Sequence, residues 1–124
     1  TMKSLVLGLL SCFAFSAALH VSIPSASDSA IPSSGVAVVE FNASFNKQNR
    51  VEWIEKLSDC KTERVDIAST PSMQSKYKIV VVPTVVVFNN GKEVKRFQAN
   101  IMMQLDANKS EVQEAVDEII MSDF

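Results

Sequence analysis

The sequence predicts an α/β fold, specifically a three-layer α/β/α sandwich with a mixed central sheet. Short apolar runs rich in Val and Ile alternate with amphipathic segments in the first part of the domain. An Asn-Asn-Gly turn then joins two strand-like runs, and the chain closes on a single apolar stripe at helical spacing. The resulting order, β-α-β-α-β-β-α, requires a parallel strand pair and an antiparallel hairpin in one sheet.

Length and composition allow one domain and exclude several kinds of site. With 124 residues and 47% hydrophobic content, the chain can bury a core of its own. Its net charge is −2 and it has no basic run, so we expect no nucleic-acid partner. Its two cysteines, Cys12 and Cys60, and its one histidine, His20, cannot supply a disulfide framework or a zinc cluster. We therefore predict no metal and no cofactor.

Residues 1–21 have the layout of a secretory signal peptide or membrane anchor. One lysine precedes an apolar run over residues 5–19, and the small residues Ser16 and Ala18 form a cleavage site. We expect cleavage after Ala18 and a secretory location, in an extracytoplasmic space or organelle lumen. The alternative is a retained anchor over residues 5–23, close to the roughly 20 residues that span a bilayer.

Residues 22–35 are predicted to be a linker, because they are rich in Ser and Pro and lack apolar periodicity. The folded domain is then residues 36–124. Its first element is a strand over residues 36–41, whose continuous β-branched and aromatic run indicates burial on both faces. Glu40 is the one charged residue in that strand.

The middle of the domain alternates helix and strand. After a loop, apolar residues at helical spacing predict one amphipathic helix, and they are Val51, Trp53, Ile54 and Leu57. Residues 64–68 are the second strand candidate. Thr70 and Pro71 then predict an N-cap and first position for a short helix that ends near Tyr77.

The second half contains the hairpin and the last helix. The apolar run over residues 80–88 includes a proline, so its strand is predicted to begin at Pro83. Asn90-Gly91 predicts a type I′ turn into a partner strand over residues 93–101. The last helix is capped by Asp106 or by a capping box of Ser110 with Gln113. Its apolar stripe consists of Val112, Ala115, Val116, Ile119 and Ile120.

Two segments resemble the thioredoxin family. The run over residues 39–50, VEFNASFNKQNR, is similar to that family's first buried strand and active-site loop. The run over residues 77–84, YKIVVVPT, followed by Phe88 and the Asn90-Gly91 turn, is similar to its cis-proline segment and hairpin. The matches lie in the right order within about 90 residues. The resemblance implies a thioredoxin fold and a cis peptide bond before Pro83.

The same resemblance implies that the catalytic thiols of the family are missing from this chain. Asn46 and Asn49 occupy the places of the family's two cysteines, and Glu40 occupies the place of its buried acid. Because an asparagine amide neither ionises nor attacks a disulfide, we expect no dithiol oxidoreductase activity. We expect the two asparagines to be loop and cap residues, with Asn46 as an N-cap, and Glu40 to be a hydrogen-bonded structural acid.

The family's peptide-binding face is implied to remain. Phe45, Val82, Pro83 and Thr84 fall on it, and the backbone of Val82 is expected to pair with an extended peptide. We therefore expect a binding or assembly module for a protein or peptide partner. The alternatives are an enzyme that uses Cys60, or a peripheral subunit of a membrane complex held through residues 5–23.

Several further residues have modest expected roles. Cys60 lies in a turn away from the active-site loop, so we expect an inert thiol. Asn42 and Asn108 match the N-glycosylation pattern, and of the two we expect only Asn108 to be accessible in a eukaryotic secretory route. The methionines are expected to fill the core rather than to form a binding patch, and those concerned are Met102, Met103 and Met121.

Overall fold

The computed structural model describes residues 31–122, which form one mixed four-stranded sheet covered on both faces. Its strands are β1 (Val36–Asn42), β2 (Lys61–Asp66), β3 (Thr84–Asn89) and β4 (Lys92–Gln98). They lie in the order β2-β1-β3-β4, with β1 and β2 parallel and the other two pairs antiparallel. The α-helices are α1 (Pro71–Lys76) and α2 (Lys109–Ser122). This arrangement confirms the predicted fold class.

The two central strands, β1 and β3, separate two hydrophobic cores. Because side chains alternate along a strand, Phe41 points to one face of the sheet and Val38 to the other. The first face, with Phe41, packs against Met73 of α1. The second face packs against one side of α2 and against the chain between β1 and β2, through Val38, Val51, Ile54, Val85, Val87, Val112 and Val116.

The predicted amphipathic α-helix between β1 and β2 is wrong. The chain instead forms two short 3₁₀ segments, Ser44–Asn49 and Ile54–Lys56. Arg50 and Leu57 adopt extended backbone angles that end each segment. Val51, Ile54 and Leu57 are still buried, although only Ile54 lies within a 3₁₀ segment.

The α2 cap is also different from both predicted caps. The backbone N–H of Glu111 donates to Oδ1 of Asn108 at 2.9 Å, so Asn108 caps the helix. Neither Asp106 nor Ser110 occupies that position, because the helix begins at Lys109. The predicted apolar stripe is correct, since α2 buries Val112, Ala115, Val116 and Ile119 and packs Ile120 partly against the core.

The predicted hairpin is confirmed, with small shifts in the strand ends. Asn90 and Gly91 have φ angles of 53° and 81°, as a type I′ turn requires at both central residues. β3 begins at Thr84, one residue after Pro83, and β2 covers Lys61–Asp66 rather than residues 64–68. At α1, Pro71 occupies the first helical turn as predicted. Thr70 makes no side-chain cap hydrogen bond to the helix.

The chain enters the sheet at the hairpin end. The N–H of Asn90 donates to the Gly35 carbonyl at 2.9 Å, and the Gly35 N–H donates to Oδ1 of Asn90 at 2.8 Å. Ile31, in the segment predicted as linker, is buried in the same core as Phe41. Within residues 31–122, no helix is long and apolar enough to cross a membrane. The predicted leader and anchor lie outside the described residues.

Candidate functional site

The candidate site lies where β1 ends and β3 begins, at the end of the sheet opposite the hairpin. A groove of about 410 Å³ opens there between the first 3₁₀ segment, the segment before β3 and the loop after β4. Twelve residues line this apolar groove and none of them has an ionisable side chain. Its lining includes Ala43, Ile67, Ile79 and Val82, which also belong to the first core.

Large apolar side chains on the rim of the groove are exposed to solvent. The exposed fractions are 69% for Phe45, 77% for Val80, 98% for Ile101 and 41% for Met103. Isolated exposed apolar residues are ordinary, but a group of them around one concave surface is typical of an interaction site. Phe45 was predicted from the sequence to lie on this face. Val80 and the loop residues were not.

The loop after β4 holds its apolar residues in a fixed arrangement. Oδ1 of Asn100 accepts hydrogen bonds from the N–H groups of Met102 at 2.8 Å and Gln104 at 3.2 Å. The Asn100 N–H donates in turn to the Gln104 carbonyl at 2.9 Å. The prediction that the methionines fill the core is wrong, because Met102 and Met121 are exposed and Met103 lines the groove.

The segment before β3 is already hydrogen-bonded within the chain. The Val82–Pro83 peptide bond is cis. The Val81 carbonyl accepts from the Thr84 hydroxyl at 2.7 Å, and the Pro83 carbonyl accepts from the Ala99 N–H at 3.1 Å. The Val82 carbonyl accepts from Nδ2 of Asn46 at 3.4 Å. Pro83 and Thr84 are buried, so a partner would reach this segment mainly from the Val80 side.

Asn46 joins the three parts of the groove. Its side chain is fully buried, and its Nδ2 also donates to the Met103 carbonyl at 3.1 Å and to Oδ1 of Asn42 at 3.3 Å. Its Oδ1 accepts from Nδ2 of Asn49 at 2.9 Å. The expectation that Asn46 is an N-cap is wrong, because it lies inside the 3₁₀ segment and the cap position belongs to Ala43.

Comparisons with solved structures agree with this architecture, whereas comparisons of sequence find no relative. No family model matches the sequence, and no curated protein matches it. A mutant thioredoxin from Halobacterium salinarum NRC-1 is 20% identical, with 73% of this chain and 80% of that chain covered and a TM-score of 0.58. A thioredoxin from Malassezia sympodialis is 22% identical, with 73% and 79% covered and a TM-score of 0.55. A designed protein is 20% identical, with 79% and 91% covered and a TM-score of 0.59.

This chain has the thioredoxin fold. The resemblance in sequence places Asn46 and Asn49 where that family has its cysteines, and the structure places both in a hydrogen-bonded turn beside the segment that precedes β3.

Glu40 lies behind this turn, on the second face of the thioredoxin-fold sheet. Its carboxylate is 1% exposed and accepts from the Val51 N–H at 2.8 Å and from Nδ2 of Asn42 at 3.4 Å. It also pairs with Arg64, whose guanidinium donates to the Val51 carbonyl at 2.9 Å and to Glu55 at 2.5 Å. Glu40 is thus a hydrogen-bonded structural acid that joins β1, β2 and the chain between them.

The environment of Glu40 raises its pKa. Burial is the largest cause, because it disfavours the charged carboxylate. The Val51 N–H, the Arg64 charge and the Asn42 amide act in the opposite direction but do not cancel the effect of burial. Glu55, which is exposed and also pairs with Arg64, has a lowered pKa because that hydrogen bond favours its charged form.

The remaining candidate residues lie away from the groove. Cys60 is half-buried against the second core, and burial, followed by Asp59 and Asp117, raises the pKa of its thiol. A raised pKa leaves less of the reactive thiolate at neutral pH. Asn108 is exposed at the start of α2, where its Oδ1 caps the helix, whereas Asn42 is partly buried and its side chain is bonded to its neighbours. No group of three metal-binding side chains occurs in the part of the chain that the structure describes.

The raised pKa of Glu40 predicts a pH-dependent stability. The folded state holds this proton more tightly than the unfolded chain, so the resulting stabilisation is complete below the ordinary carboxyl pKa and is lost as the pH rises through the raised value. We expect the free energy of unfolding of the wild-type protein to fall relative to that of Glu40→Gln over this interval. Urea titrations at pH values from about 4 to 8 measure the difference. If the free energy of unfolding of the wild-type protein rises relative to that of Glu40→Gln as the pH increases, the assignment is contradicted.

The hydrogen bonds of Asn46 predict a stability cost when its amide is removed. Asn46→Ala leaves the buried Val82 carbonyl without that donor, so we expect the free energy of unfolding to fall by about 1 to 3 kcal/mol. Asn49→Ala is the matched control, because the Asn49 amide donates to Asn46 from a partly exposed position. Urea denaturation of the two variants should give the larger loss for Asn46→Ala, and equal losses would contradict the central role of this side chain.

Proposed function

We propose that this chain is a redox-inactive thioredoxin-fold domain that binds a protein or peptide partner through the apolar groove. The observation that carries the proposal is a concave, uncharged surface of about 410 Å³, whose rim residues Phe45, Val80 and Ile101 are exposed. It lies beside the asparagines that stand in place of the family's cysteines. The face that would hold a substrate is present, and the thiols that would react with it are not.

The size and chemistry of the groove suit a few bulky apolar side chains. Pockets that bind ligands are concave and mostly apolar, with a few polar groups that fix orientation. Here the polar groups are Gln74 and Asn100, both uncharged. Burying a large apolar side chain contributes about 1.5 to 3 kcal/mol, so two anchors in the groove contribute about 3 to 6 kcal/mol. Association costs about 4 to 15 kcal/mol, so a specific interaction also needs contacts outside the groove.

The hydrogen bonds before β3 favour side-chain insertion over strand pairing. The carbonyls of Val81, Val82 and Pro83 each accept a hydrogen bond from within the chain. An extended peptide that paired with the Val82 carbonyl would have to share it with the Asn46 amide, which already takes one of its two acceptor positions. A partner that inserts apolar side chains between Phe45, Val80 and Ile101 would leave these bonds intact.

Redox inactivity predicts that the purified protein does not reduce insulin disulfides above the uncatalysed rate in the presence of dithiothreitol. Neither Asn46 nor Asn49 forms a thiolate, and the raised pKa of Cys60 disfavours one. Turbidity of precipitating insulin measures the reaction. Cys60→Ser is the control variant. Activity in the wild-type protein that Cys60→Ser removes would favour the alternative of a monothiol enzyme.

The groove predicts that charged substitutions on its rim weaken partner binding. Phe45→Asp and Val80→Asp should each weaken binding by about tenfold or more, because a carboxylate in an apolar contact must be desolvated. Val94→Asp is the matched control, since Val94 is also an exposed apolar residue, 52% accessible, but lies on β4 outside the groove. Crosslinking in the native source, quantified by mass spectrometry, compares the three variants. Identical partner yields for all three would contradict the proposed site.

A further inference from the structure

A second, smaller pocket adjoins the apolar groove at Ala43. It has a volume of about 210 Å³, and Ser44 and Lys47 line it together. Both come from the same 3₁₀ turn that presents Phe45 to the groove. This turn therefore places Phe45 in the apolar groove and Ser44 and Lys47 in the second pocket. We name this second concavity the basic pocket.

The carboxylates of the basic pocket are already occupied. Glu40 is bonded to the Val51 N–H and paired with Arg64. Asp66 accepts from the Ala68 N–H at 2.9 Å through Oδ1 and from the Ser69 hydroxyl at 3.2 Å through Oδ2. Arg64 is shared between two carboxylates, so its charge is also compensated. None of these groups needs an external partner.

Lys47 and Arg50 are the cations that remain available. Both are exposed and line the basic pocket, and within residues 31–122 neither lies in a salt bridge. Arg50 does act on Glu55 at longer range, where it helps to lower the pKa of that carboxyl. Asp66 keeps its negative charge, because its hydrogen bonds come from neutral groups, so the three cations that line the pocket exceed its two carboxylates by one. The pocket therefore presents a net positive charge directly beside a groove that has none.

We propose that the partner segment carries an acidic side chain close to its bulky apolar anchor. The apolar side chain of the partner fills the groove. The partner's backbone then passes over Ala43 into the basic pocket, where its aspartate or glutamate reaches Lys47 and Arg50. This inference rests on the proposed function and names the class of ligand that the site takes, an apolar–acidic polypeptide segment. Charge complementarity carries it, because opposite charges steer association and suppress wrong partners.

The test uses the full chain and four fluorescein-labelled decapeptides in a Gly-Ser background. One contains a Leu-Phe pair followed by two Glu residues, one the same pair followed by two Lys, one the pair alone, and one the two Glu alone. Fluorescence anisotropy measures affinity at low and high salt. We expect the apolar–acidic peptide to bind about threefold to tenfold more tightly than the pair alone, the range expected for exposed charge pairs. The advantage should disappear in 0.5 M salt.

Charge-reversal variants assign the effect to the basic pocket. Lys47→Glu with Arg50→Glu should remove the preference for the acidic peptide while leaving the pair alone bound as before. Lys56→Glu with Lys92→Glu changes the net charge equally at exposed positions outside both pockets, and the preference should remain. Circular dichroism checks that each variant is folded. Retention of the preference in the first double variant would overturn the inference.

The remaining outcomes separate this inference from the proposed function. Equal affinity for the acidic, basic and uncharged apolar peptides would overturn the acidic preference and leave the proposed groove in place. Binding of no apolar peptide, with Val80→Asp also without effect, would overturn both. Self-association in analytical ultracentrifugation that Val80→Asp abolishes would assign the groove to a second copy of the chain. Binding gained when the apolar residues of positions 5–19 are replaced by serine would assign it to the chain's own N-terminal segment. Either assignment would overturn the inference.

Discussion

The groove depends on one buried amide. The Asn46 side chain donates to the carbonyls of Val82 and Met103, and so joins the 3₁₀ turn, the segment before β3 and the loop after β4. The last two of these segments are also joined by the pairing of β3 with β4 and by the Ala99 N–H, which donates to the Pro83 carbonyl. The Asn46 amide adds the connection to the 3₁₀ turn and supplies a donor to the buried Val82 carbonyl. The buried side chain of Asn46 therefore has a structural role at this end of the sheet.

A second polar cluster supports the same region from behind. Glu40 and Arg64 connect β1, β2 and the backbone of Val51, so the chain between the first two strands is held by ionic and hydrogen bonds as well as by its apolar residues. Such a cluster helps to explain why this connection is stable as short 3₁₀ segments. Glu40 therefore has a structural role in this part of the fold.

Much of the fold could be predicted from the sequence because its signals are local. The continuous apolar runs of β1 and β3, the Asn90-Gly91 turn and the stripe of α2 each follow from periodicity or backbone angles. The 3₁₀ segments were missed because Val51, Ile54 and Leu57, at a spacing of three residues, also fit one face of an α-helix. The α2 cap was missed because three polar residues near the helix start were all plausible caps.

The candidate site was harder to predict, because it depends on contacts between distant segments. The resemblance alone placed Phe45 beside the segment that precedes β3, where it lines the groove. The positions of Ile101 and Met103 depend on the hydrogen bonds of the loop after β4 to Asn100, and no local pattern indicates those bonds. The burial of Asn46 was unexpected for the same reason, since its acceptors lie 36 and 57 residues away in the chain.

The junction between Gly35 and Asn90 fastens the chain to the hairpin end of β1, while the groove opens at the other end, about 20 Å away along the strand. Gly35 therefore lies at the pole opposite the groove. A support, a carrier protein or a lipid surface attached at that pole would leave the groove accessible to solvent.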